Sequence, residues 1–319
     1  MAKPEKQRIV VIGGGTGSYT VLRGLKKHDV EITAVVSMMD SGGSAGKLRD
    51  EYGYLPQGDM RRCLIALSED SSFLRKLFEY RFEKGGVGGH SLGNLLLTAI
   101  RDIAGNEKDA IIEASRLLSI KGRVIPVTLV HAHIGAVLEN GQVVVSETNI
   151  DIPKHNPDLK IKKLFIVPKP RANPDAVKAI LEADKVVIGP GDLYTSVLAN
   201  VLISGIKNAL TETKAKKIFV CNIMNKYGET TNFSADDFLK EVEKYAGKGV
   251  LDCVLLNDKK PHAKTLKPYE DEGSSFIMPV LHSKAKGSGP VKVVKADLLD
   301  EGNLARHDSD KLADVIVRI

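Results

Sequence analysis

The chain has 319 residues, of which 43% are hydrophobic and 27% charged, a composition typical of a globular protein with one large core or two modest ones. Its formal charge is +6, but the lysines are scattered in pairs away from aromatic residues, which favours a phosphorylated metabolite over nucleic acid as the partner. Only four apolar residues in a row follow the charged N-terminus, too few for a signal segment or a membrane span, so we expect a cytoplasmic protein. The three cysteines lie far apart in apolar runs, which predicts buried thiols and no disulfide or metal framework.

The first predicted element is a short apolar strand that breaks into glycines and then into a helical pattern. Arg8–Ile12 is the strand, residues 13–18 are the loop, and Tyr19–Lys27 is the helix. Glycines let the backbone approach a ligand closely, and the first amides of a helix lack partners within it, which indicates a phosphate site. Ser18 stands where the dinucleotide fingerprint has its third glycine, so phosphate binding is favoured over NAD binding; a tight turn without a ligand is the alternative. The candidate ligand residues in this loop are Gly14, Gly15, Thr16 and Gly17.

A second buried strand, Ile32–Val36, completes a βαβ opening and leads into a loop of small residues that contains Asp40. A dinucleotide fold places an acid at the end of this strand to hold the ribose, and Asp40 lies a few residues beyond that point. Asp40 could reach a ribose, hold a metal ion or steer a nucleophile, or it could simply form a turn. Asp59 precedes an amphipathic run and is predicted as a helix N-cap. The alternative is that Asp59, together with Arg61 or Arg62, faces the same cavity as Asp40.

Two helical patterns follow, separated by a second glycine loop. The first, Ser72–Phe82, carries four apolar side chains that we expect in the core, namely Phe73, Leu77, Phe78 and Phe82. The glycine loop at residues 85–89 then opens a strongly apolar helix. Side chains at the start of that helix could contact a bound ligand, although a serine there could also be only the cap. These candidates are His90, Ser91 and Asn94.

From Val124 to Ile152 the hydrophobic period becomes that of strands, with a strong hairpin-turn signal at 138–142, and a loop then leads to an edge strand at 164–167. We therefore predict a small antiparallel β insert over residues 124–167, within a single α/β domain that spans residues 1–319. His131 and His133 alternate onto one face of the first strand of this insert. No third ligand follows at a convincing spacing, so a polar sheet face is favoured over a zinc site.

The α/β pattern then returns, with a helix over Pro174–Glu182, a strand over Lys185–Ile188, and a third glycine loop before a helix that reaches about Leu210. Strands are also expected at 217–221 and 252–256. Parallel strands that end in small polar loops imply one shared crevice at the carboxyl edge of the sheet. The loops at this edge add the candidate ligand residues Gly189, Gly191, Asp192, Asn222 and Tyr227.

Six ordered motifs give the chain a family resemblance. They are Gly-Gly-Gly-Thr-Gly-Ser at 13–18, Asp-Ser-Gly-Gly-Ser at 40–44, Leu-Pro-Gln-Gly-Asp at 55–59, Gly-His-Ser-Leu-Gly-Asn at 89–94, Gly-Pro-Gly-Asp-Leu-Tyr-Thr-Ser at 189–196, and Arg-His-Asp at 306–308. Together they resemble the gluconeogenesis factor family, a branch of the 2-phospho-L-lactate transferase superfamily, over nearly the whole chain. The resemblance implies a Rossmann-like three-layer α/β/α fold with a mostly parallel sheet, a cytoplasmic location, binding of a UDP-sugar such as UDP-N-acetylglucosamine, and a part in cell shape and in growth on gluconeogenic carbon sources.

The resemblance also implies roles for three residues. In the transferase branch, the aspartate that matches Asp40 is implicated in catalysis with a divalent metal and a guanine nucleotide, so Asp40 is the catalytic and metal-binding candidate if this chain is a transferase. In the gluconeogenesis factor branch, the sugar-nucleotide contacts match Tyr269 and Arg306. A tyrosine ring can stack on uracil, and a guanidinium can fork onto a diphosphate. Surface packing is the alternative for both.

Two functions follow from these observations. The first is a UDP-sugar-binding regulator of cell shape and carbon metabolism with no robust turnover, and the second is a metal-dependent phosphotransferase that uses a nucleotide-activated substrate. An NAD-dependent oxidoreductase is a third class, against which Ser18 and the late position of Asp40 both argue. No cofactor is required by the residues, and Mg²⁺ is the one candidate. The expected partner is a UDP-sugar or another nucleotide diphosphate, and a homo-oligomer is left open.

The last predicted helix begins just after Arg306. Asp308 or Ser309 is expected to cap it, with Leu312, Val315 and Ile316 on the buried face. This helix should pack on the main sheet and hold Arg306 over the diphosphate.

Overall fold

A parallel sheet forms the centre of the protein, and helices cover both of its faces. The computed structural model describes residues 5–69, 72–282 and 291–319. Numbered in chain order, its strands are β1 Gln7–Gly13, β2 Val30–Val36, β3 Arg123–Pro126, β4 His133–Leu138, β5 Val143–Val145, β6 Ile161–Val167, β7 Lys185–Ile188, β8 Lys216–Val220, β9 Cys253–Asn257 and β10 Lys292–Ala296. Seven of them form one sheet in the order β10-β9-β8-β7-β1-β2-β3, and all neighbours in it are parallel. The predicted α/β fold with a mostly parallel sheet is confirmed.

The strands of this sheet bury side chains on both faces. In β1, Val10 and Ile12 belong to one hydrophobic cluster, whereas Ile9 and Val11 belong to a second cluster on the opposite face. All four are at most 2% exposed. This is the arrangement expected of a central parallel strand, whose unbroken apolar run reflects burial on both sides. The four consecutive apolar residues of β1 therefore specify its place in the middle of the sheet.

The helices form the two outer layers. They are α1 Gly15–Leu25, α2 Gly43–Tyr52, α3 Gly58–Leu67, α4 Ser72–Glu79, α5 Leu92–Ala104, α6 Glu107–Leu117, α7 Glu147–Asp151, α8 Pro174–Glu182, α9 Ala199–Val201, α10 Ile206–Glu212, α11 Ala235–Ala246, α12 Ala263–Asp271 and α13 Ser309–Arg318. Leu22 of α1 and Leu312 of α13 lie in the cluster on one face, and Ile180 of α8 and Phe238 of α11 lie in the cluster on the other. The three-layer arrangement follows from these two clusters.

A separate sheet of three antiparallel strands lies between β3 and β7 in the chain, in the order β5-β4-β6. Its hairpin turn falls where the sequence predicts it, with Gly141 at φ +88° and the Leu138 amide donating to the Gln142 carbonyl at 2.9 Å. The predicted start of the insert at residue 124 differs from the structure, because β3 pairs in parallel with β2 in the main sheet. The antiparallel pairing begins only at His133. A four-residue apolar strand has no periodicity that would reveal so distant a partner.

The two histidines of this region do not form the predicted pair on one strand. His131 precedes β4 and is exposed, whereas His133 is the first residue of the strand and half-buried. Burial lowers the pKa of His133. Within the described ranges, neither histidine belongs to a group of side chains spaced to share a metal ion.

Three predicted helix boundaries need correction. Asp59 is not an N-cap, because α3 begins at Gly58 and Asp59 lies in its first turn. The helix predicted to reach Phe82 ends at Glu79, and Phe73 is 70% exposed while Phe78 is fully buried. The helix predicted to reach Leu210 is interrupted: a π-helical turn at Leu193–Leu198 leads into α9, and Gly205 at φ +107° separates α9 from α10.

Other local predictions are confirmed. Asp308 caps α13 by accepting the amides of Asp310 and Lys311, and Ser91 caps α5 by accepting the amide of Asn94. Cys63, Cys221 and Cys253 are free and buried. No helix in the described part of the chain is long and apolar enough to span a membrane.

Candidate functional site

The site lies where the order of the strands reverses. From β1 the chain adds β2 and β3 on one side of the sheet, whereas β7 adds β8, β9 and β10 on the other side. The loops after β1 and β7 therefore diverge and leave a crevice at the carboxyl edge, which is where ligands bind in open α/β sheets. A cleft of about 430 Å³ occupies this position. The predicted residues that line it are Gly14, Gly15, Thr16, Gly17, Asp40, Asp59, Arg62, Gly191, Asp192, Asn222 and Arg306.

The glycines of the first loop are required by close contacts with the other walls of the cleft. A methyl group on Gly17 would overlap the carbonyl group of Pro190, in the loop after β7. A methyl group on Gly14 would overlap the Asp59 carboxylate, and Gly15 has a φ of +61°. The absence of a side chain at Gly17 lets the first turn of α1 pack directly against the loop after β7. These two segments therefore form adjoining walls of the same cleft.

An internal carboxylate already lies at the first turn of α1. Asp59 accepts a hydrogen bond from the Gly15 amide, and the residue is half-buried in the wall of the cleft. Burial and the nearby Asp40 raise the pKa of Asp59 to about 7, although Arg62 and the Gly15 amide act in the opposite direction. The Asp59 side chain therefore already accepts a hydrogen bond from one of the helix N-terminal amides that a phosphate would otherwise bind.

Asp40 and Glu147 extend this group of carboxylates. Asp40 accepts the Gly42 amide at 2.9 Å, and Glu147 of α7 accepts the Ser41 amide at 3.2 Å. Burial raises the pKa of Asp40, and burial together with Asp40 raises the pKa of Glu147 to about 7. Asp40, Asp59 and Glu147, which we call the acid cluster, cannot all ionise easily near neutral pH. Carboxylate oxygens are the donor type that Mg²⁺ prefers, but among the described residues these three are not spaced as ligands of a single ion.

Arginines supply positive charge in the same cleft. Arg62 donates from Nη1 to the Thr16 hydroxyl at 3.1 Å, which places its guanidinium beside the glycine loop. Arg306 is exposed where it lines the cleft, and no hydrogen bond or ion pair to its side chain exists among the described residues. Its backbone is held, because the Arg306 carbonyl accepts the Asp300 amide at 2.9 Å. The Arg306 guanidinium is therefore free to bind an anion.

The third loop is held in shape by an amide side chain. Asn222, two residues after the end of β8, donates from Nδ2 to the Gly191 carbonyl at 3.0 Å and accepts the Gly191 amide at 3.3 Å. Gly191 itself has a φ of +152°. Asn222 thus ties the end of one strand to the loop after its neighbour, which fixes the position of Asp192 on the wall of the cleft.

Six predicted residues do not line the cleft. His90 contacts the Ser44 hydroxyl at 3.2 Å, and Asn94 accepts from Arg61 Nε at 2.9 Å, in a polar network that also contains the cap residue Ser91. Gly189 is the first residue of the third loop, directly after β7, and has a φ of +73°. Tyr227 packs against Gly273, and the Tyr269 hydroxyl accepts the Ala305 amide at 3.3 Å.

Several lining residues were missed by sequence analysis. Glu147 and Asp151 come from α7, between two strands of the antiparallel sheet, and no local motif marks them. His307 follows Arg306, and its Nε2 is buried without a hydrogen-bond partner. Burial lowers the pKa of His307 to about 4, so its ring is neutral near pH 7. The signal that could have found His307 is its place beside a predicted ligand residue.

The fold and the cleft define an α/β protein with a glycine loop at the switch point of a parallel sheet and an acid-rich crevice beside it. Comparison with known proteins narrows this class. The family described as 2-phospho-L-lactate transferase CofD matches residues 9–299 of the chain. The chain belongs to this family, as its six motifs indicate.

Relatives with curated descriptions include gluconeogenesis factors. The chain is 45% identical over 315 residues to a putative gluconeogenesis factor of Thermotoga maritima, with 98% of this chain and 99% of that protein covered. It is 37% identical over 317 residues to the gluconeogenesis factor of Bacillus subtilis, with 98% of each covered. A crystal structure of a UPF0052 family member from Bacillus halodurans matches with a TM-score of 0.92 at 37% identity, over 99% of this chain and 100% of that one.

Proposed function

We propose that the cleft binds a nucleotide diphosphate sugar of the UDP-N-acetylglucosamine type, and that the chain acts through this binding without robust turnover. The observation that carries the proposal is the composition of the cleft. One cavity of about 430 Å³ combines a glycine loop at a helix N-terminus, two arginines and a set of carboxylates. The glycine loop and the two arginines can bind a diphosphate. The carboxylates can accept hydrogen bonds from the hydroxyl groups of a sugar.

The diphosphate is assigned to the glycine loop and the arginines. Thr16 and Gly17 lie in the first turn of α1, where backbone amides lack partners within the helix. Arg62 is already positioned by Thr16, and Arg306 has no competing acceptor in the described part of the chain. One guanidinium can bind one phosphate through two parallel hydrogen bonds. Two arginines can therefore bind both phosphates of a diphosphate.

The hydroxyl groups of the ligand are assigned to acceptors on the other residues of the cleft. Asp192 and Asp151 line it with carboxylate oxygens, and His307 lines it with a buried Nε2 that lacks a donor. An acceptor without a donor costs free energy, and a hydroxyl or N–H of a bound ligand would recover it. A ligand with several hydroxyl groups therefore fits better than a bare diphosphate.

The biological role in this proposal follows the relatives, which are described as gluconeogenesis factors. The chain would act in the cytoplasm as a regulator of carbon metabolism and cell shape that responds to the level of the sugar nucleotide. Isothermal titration of the purified chain with UDP-N-acetylglucosamine tests the binding. We expect micromolar affinity, about −8 kcal/mol. Clear binding of GDP or NAD with no heat from UDP-N-acetylglucosamine would overturn the proposal.

A second candidate is a metal-dependent phosphotransferase, and the acid cluster is the observation that favours it. Asp40, Asp59 and Glu147 offer the oxygen donors that Mg²⁺ prefers. A bound Mg²⁺ would neutralise charge on a transferring phosphoryl group, while the glycine loop and Arg62 would orient it. In this function the alcohol acceptor attacks the phosphorus of the activated phosphoacid, the diphosphate P–O bond breaks, and the nucleoside monophosphate leaves as the phosphodiester forms. Formation of both products should stop when Mg²⁺ is chelated.

A further inference from the structure

Lys226 lies among three carboxylates at the edge of the cleft. Its Nζ forms an ion pair with Asp151, lies 3.3 Å from Asp192 Oδ2, and lies 3.6 Å from Glu229 Oε2. The three acids come from separate places in the chain: Asp151 ends α7, Asp192 follows β7, and Glu229 follows β8. One ammonium group therefore joins the antiparallel unit to two loops of the main sheet.

The three carboxylates have the spacing of ligands around a single cation. One oxygen from each lies within 4.8 Å of the others. Glu229 is 5% exposed, and its Oε2 has no hydrogen-bond partner, while its other oxygen accepts the Tyr194 amide at 2.9 Å. Burial and the nearby Asp192 raise the pKa of Glu229 to about 8, and the ionised form of this carboxyl group requires a positive charge nearby. The Lys226 ammonium is the cation that the described structure places there.

We propose that Lys226 is the resident cation of this three-carboxylate site, that it takes the place of a divalent metal ion there, and that removing its charge turns the site into one that binds Mn²⁺ or Mg²⁺. Asp151, Asp192 and Glu229 would be the ligands. The proposal depends only on the contacts around Lys226, so it holds whether or not the cleft binds a sugar nucleotide.

Two features keep Lys226 in place. The Lys226 amide donates to the Thr230 hydroxyl at 2.9 Å, and the Lys226 carbonyl accepts the Thr230 amide at 2.8 Å, which fixes the backbone of the turn. Burial opposes the charge, but Glu229, Asp192 and Asp151 together raise the pKa of Lys226 above its ordinary value. The ammonium group therefore stays charged throughout the range in which the protein would be handled.

A lysine and a metal ion at this position have different consequences. A divalent ion accepts further ligands such as phosphate oxygens or water, whereas an ammonium group engaged by three carboxylates has few donors left. Lys226 is engaged by Asp151, Asp192 and Glu229, so its ammonium group offers little positive charge to a phosphate. A diphosphate is therefore directed toward Arg62 and Arg306, away from Asp192.

The test counts Mn²⁺ ions bound per chain, by the electron paramagnetic resonance signal of free Mn²⁺. Lys226→Met keeps the length of the side chain and removes its charge. Lys240→Met is the matched control, because Lys240 is 65% exposed and pairs only weakly with Asp237 at 3.9 Å. We expect Lys226→Met to bind one more Mn²⁺ per chain than the parent, and Lys240→Met to bind the same number as the parent.

A second pair of proteins identifies the ligands. Lys226→Met combined with Asp192→Asn should lose the additional Mn²⁺, whereas Asp192→Asn in the parent should leave the count unchanged. The proposal is overturned if Lys226→Met retains the parent's melting temperature and gains no Mn²⁺. It is also overturned if Asp192→Asn removes a Mn²⁺ from the parent, because the metal would then already displace the lysine. If Lys226→Met fails to fold, Lys226→Gln, which also removes the charge, takes its place: a gain of one Mn²⁺ per chain supports the proposal and no gain overturns it.

Discussion

The Asp59 carboxyl group accepts a hydrogen bond from the Gly15 amide, so an acidic side chain of the protein itself contacts the glycine loop that would bind a phosphate. Its pKa of about 7 lies above that of an unfolded aspartate, near 3.9. The native state therefore binds more protons than the unfolded state between these two values. In this window Asp59 is ionised in the unfolded chain but protonated in the native state, so the free energy of unfolding falls as the pH rises from about 4 to about 7 and levels off above it.

Replacing Asp59 by Asn should therefore stabilise the ligand-free protein at high pH. The amide oxygen of Asn can still accept the Gly15 amide, while the unfavourable buried charge is gone. We expect the free energy of unfolding at pH 8 to rise by on the order of 2 kcal/mol, and that at pH 4 to change little. Urea denaturation at both pH values measures this. Asp158→Asn, at an exposed position, is the control and should show no such difference; an equal effect at both pH values would contradict the account.

Gly17→Ala tests the contact between the two loops of the cleft. The added methyl group would overlap the Pro190 carbonyl, so the loops must separate. Overpacking of this kind costs about 1–3 kcal/mol of stability, and ligand affinity should fall with it. Chemical denaturation and calorimetry provide the two measurements. Gly86→Ala is the control, because Gly86 has open space around its Cβ position; if both variants behaved alike, the close approach at Gly17 would be unimportant.

Asp40→Asn separates the two candidate functions. The substitution keeps the shape of the side chain and removes a charge that the binding function does not need. The affinity for UDP-N-acetylglucosamine should stay within a few-fold of the parent value. A metal-dependent transferase would instead lose its turnover, because in that function the acid cluster that contains Asp40 would hold the Mg²⁺. Calorimetry and a product assay on the same protein sample distinguish these results.

Tyr269→Phe tests how Tyr269 acts. The resemblance suggests stacking of its ring on the base, but the structure places its hydroxyl under the Ala305 amide, one residue from Arg306. Phe retains a ring that can stack and lacks the acceptor for that amide. Because one hydrogen bond is worth about 1 kcal/mol, we expect affinity to fall about fivefold through a looser Arg306 segment. Unchanged affinity in Tyr269→Phe, with a large loss in Tyr269→Ala, would instead support stacking.

The sequence predicted the fold and the glycine-loop wall of the cleft because both depend on local patterns. The strand of Ile9–Ile12, the glycines that follow it and the cap at Asp308 each have a signal within a few residues. Strand order was not predictable, since the pairing of β3 with β2 joins segments almost ninety residues apart. The residue pattern of a short apolar strand does not indicate which distant strand it pairs with.

The acidic side of the cleft was missed for the same physical reason. Glu147 and Asp151 reach it only because the antiparallel unit packs its helix α7 near the loop at Asp40. Conversely, His90 and Asn94 stand beside a glycine loop, yet their polar atoms are used by Ser44 and Arg61. A glycine loop in a sequence marks a turn, and only the tertiary structure decides whether a ligand can reach it.

The proposed function is tested most directly by titrating Arg306→Ala and the parent with UDP-N-acetylglucosamine in the same calorimeter. Arg306 has no partner in the described structure, so its removal should leave the melting temperature of the ligand-free protein unchanged. Loss of a charge-assisted pair should weaken binding by about tenfold to a hundredfold. Arg318→Ala, with an 81% exposed side chain at the end of α13, is the control and should bind like the parent. Equal affinities of Arg306→Ala and the parent would contradict the account.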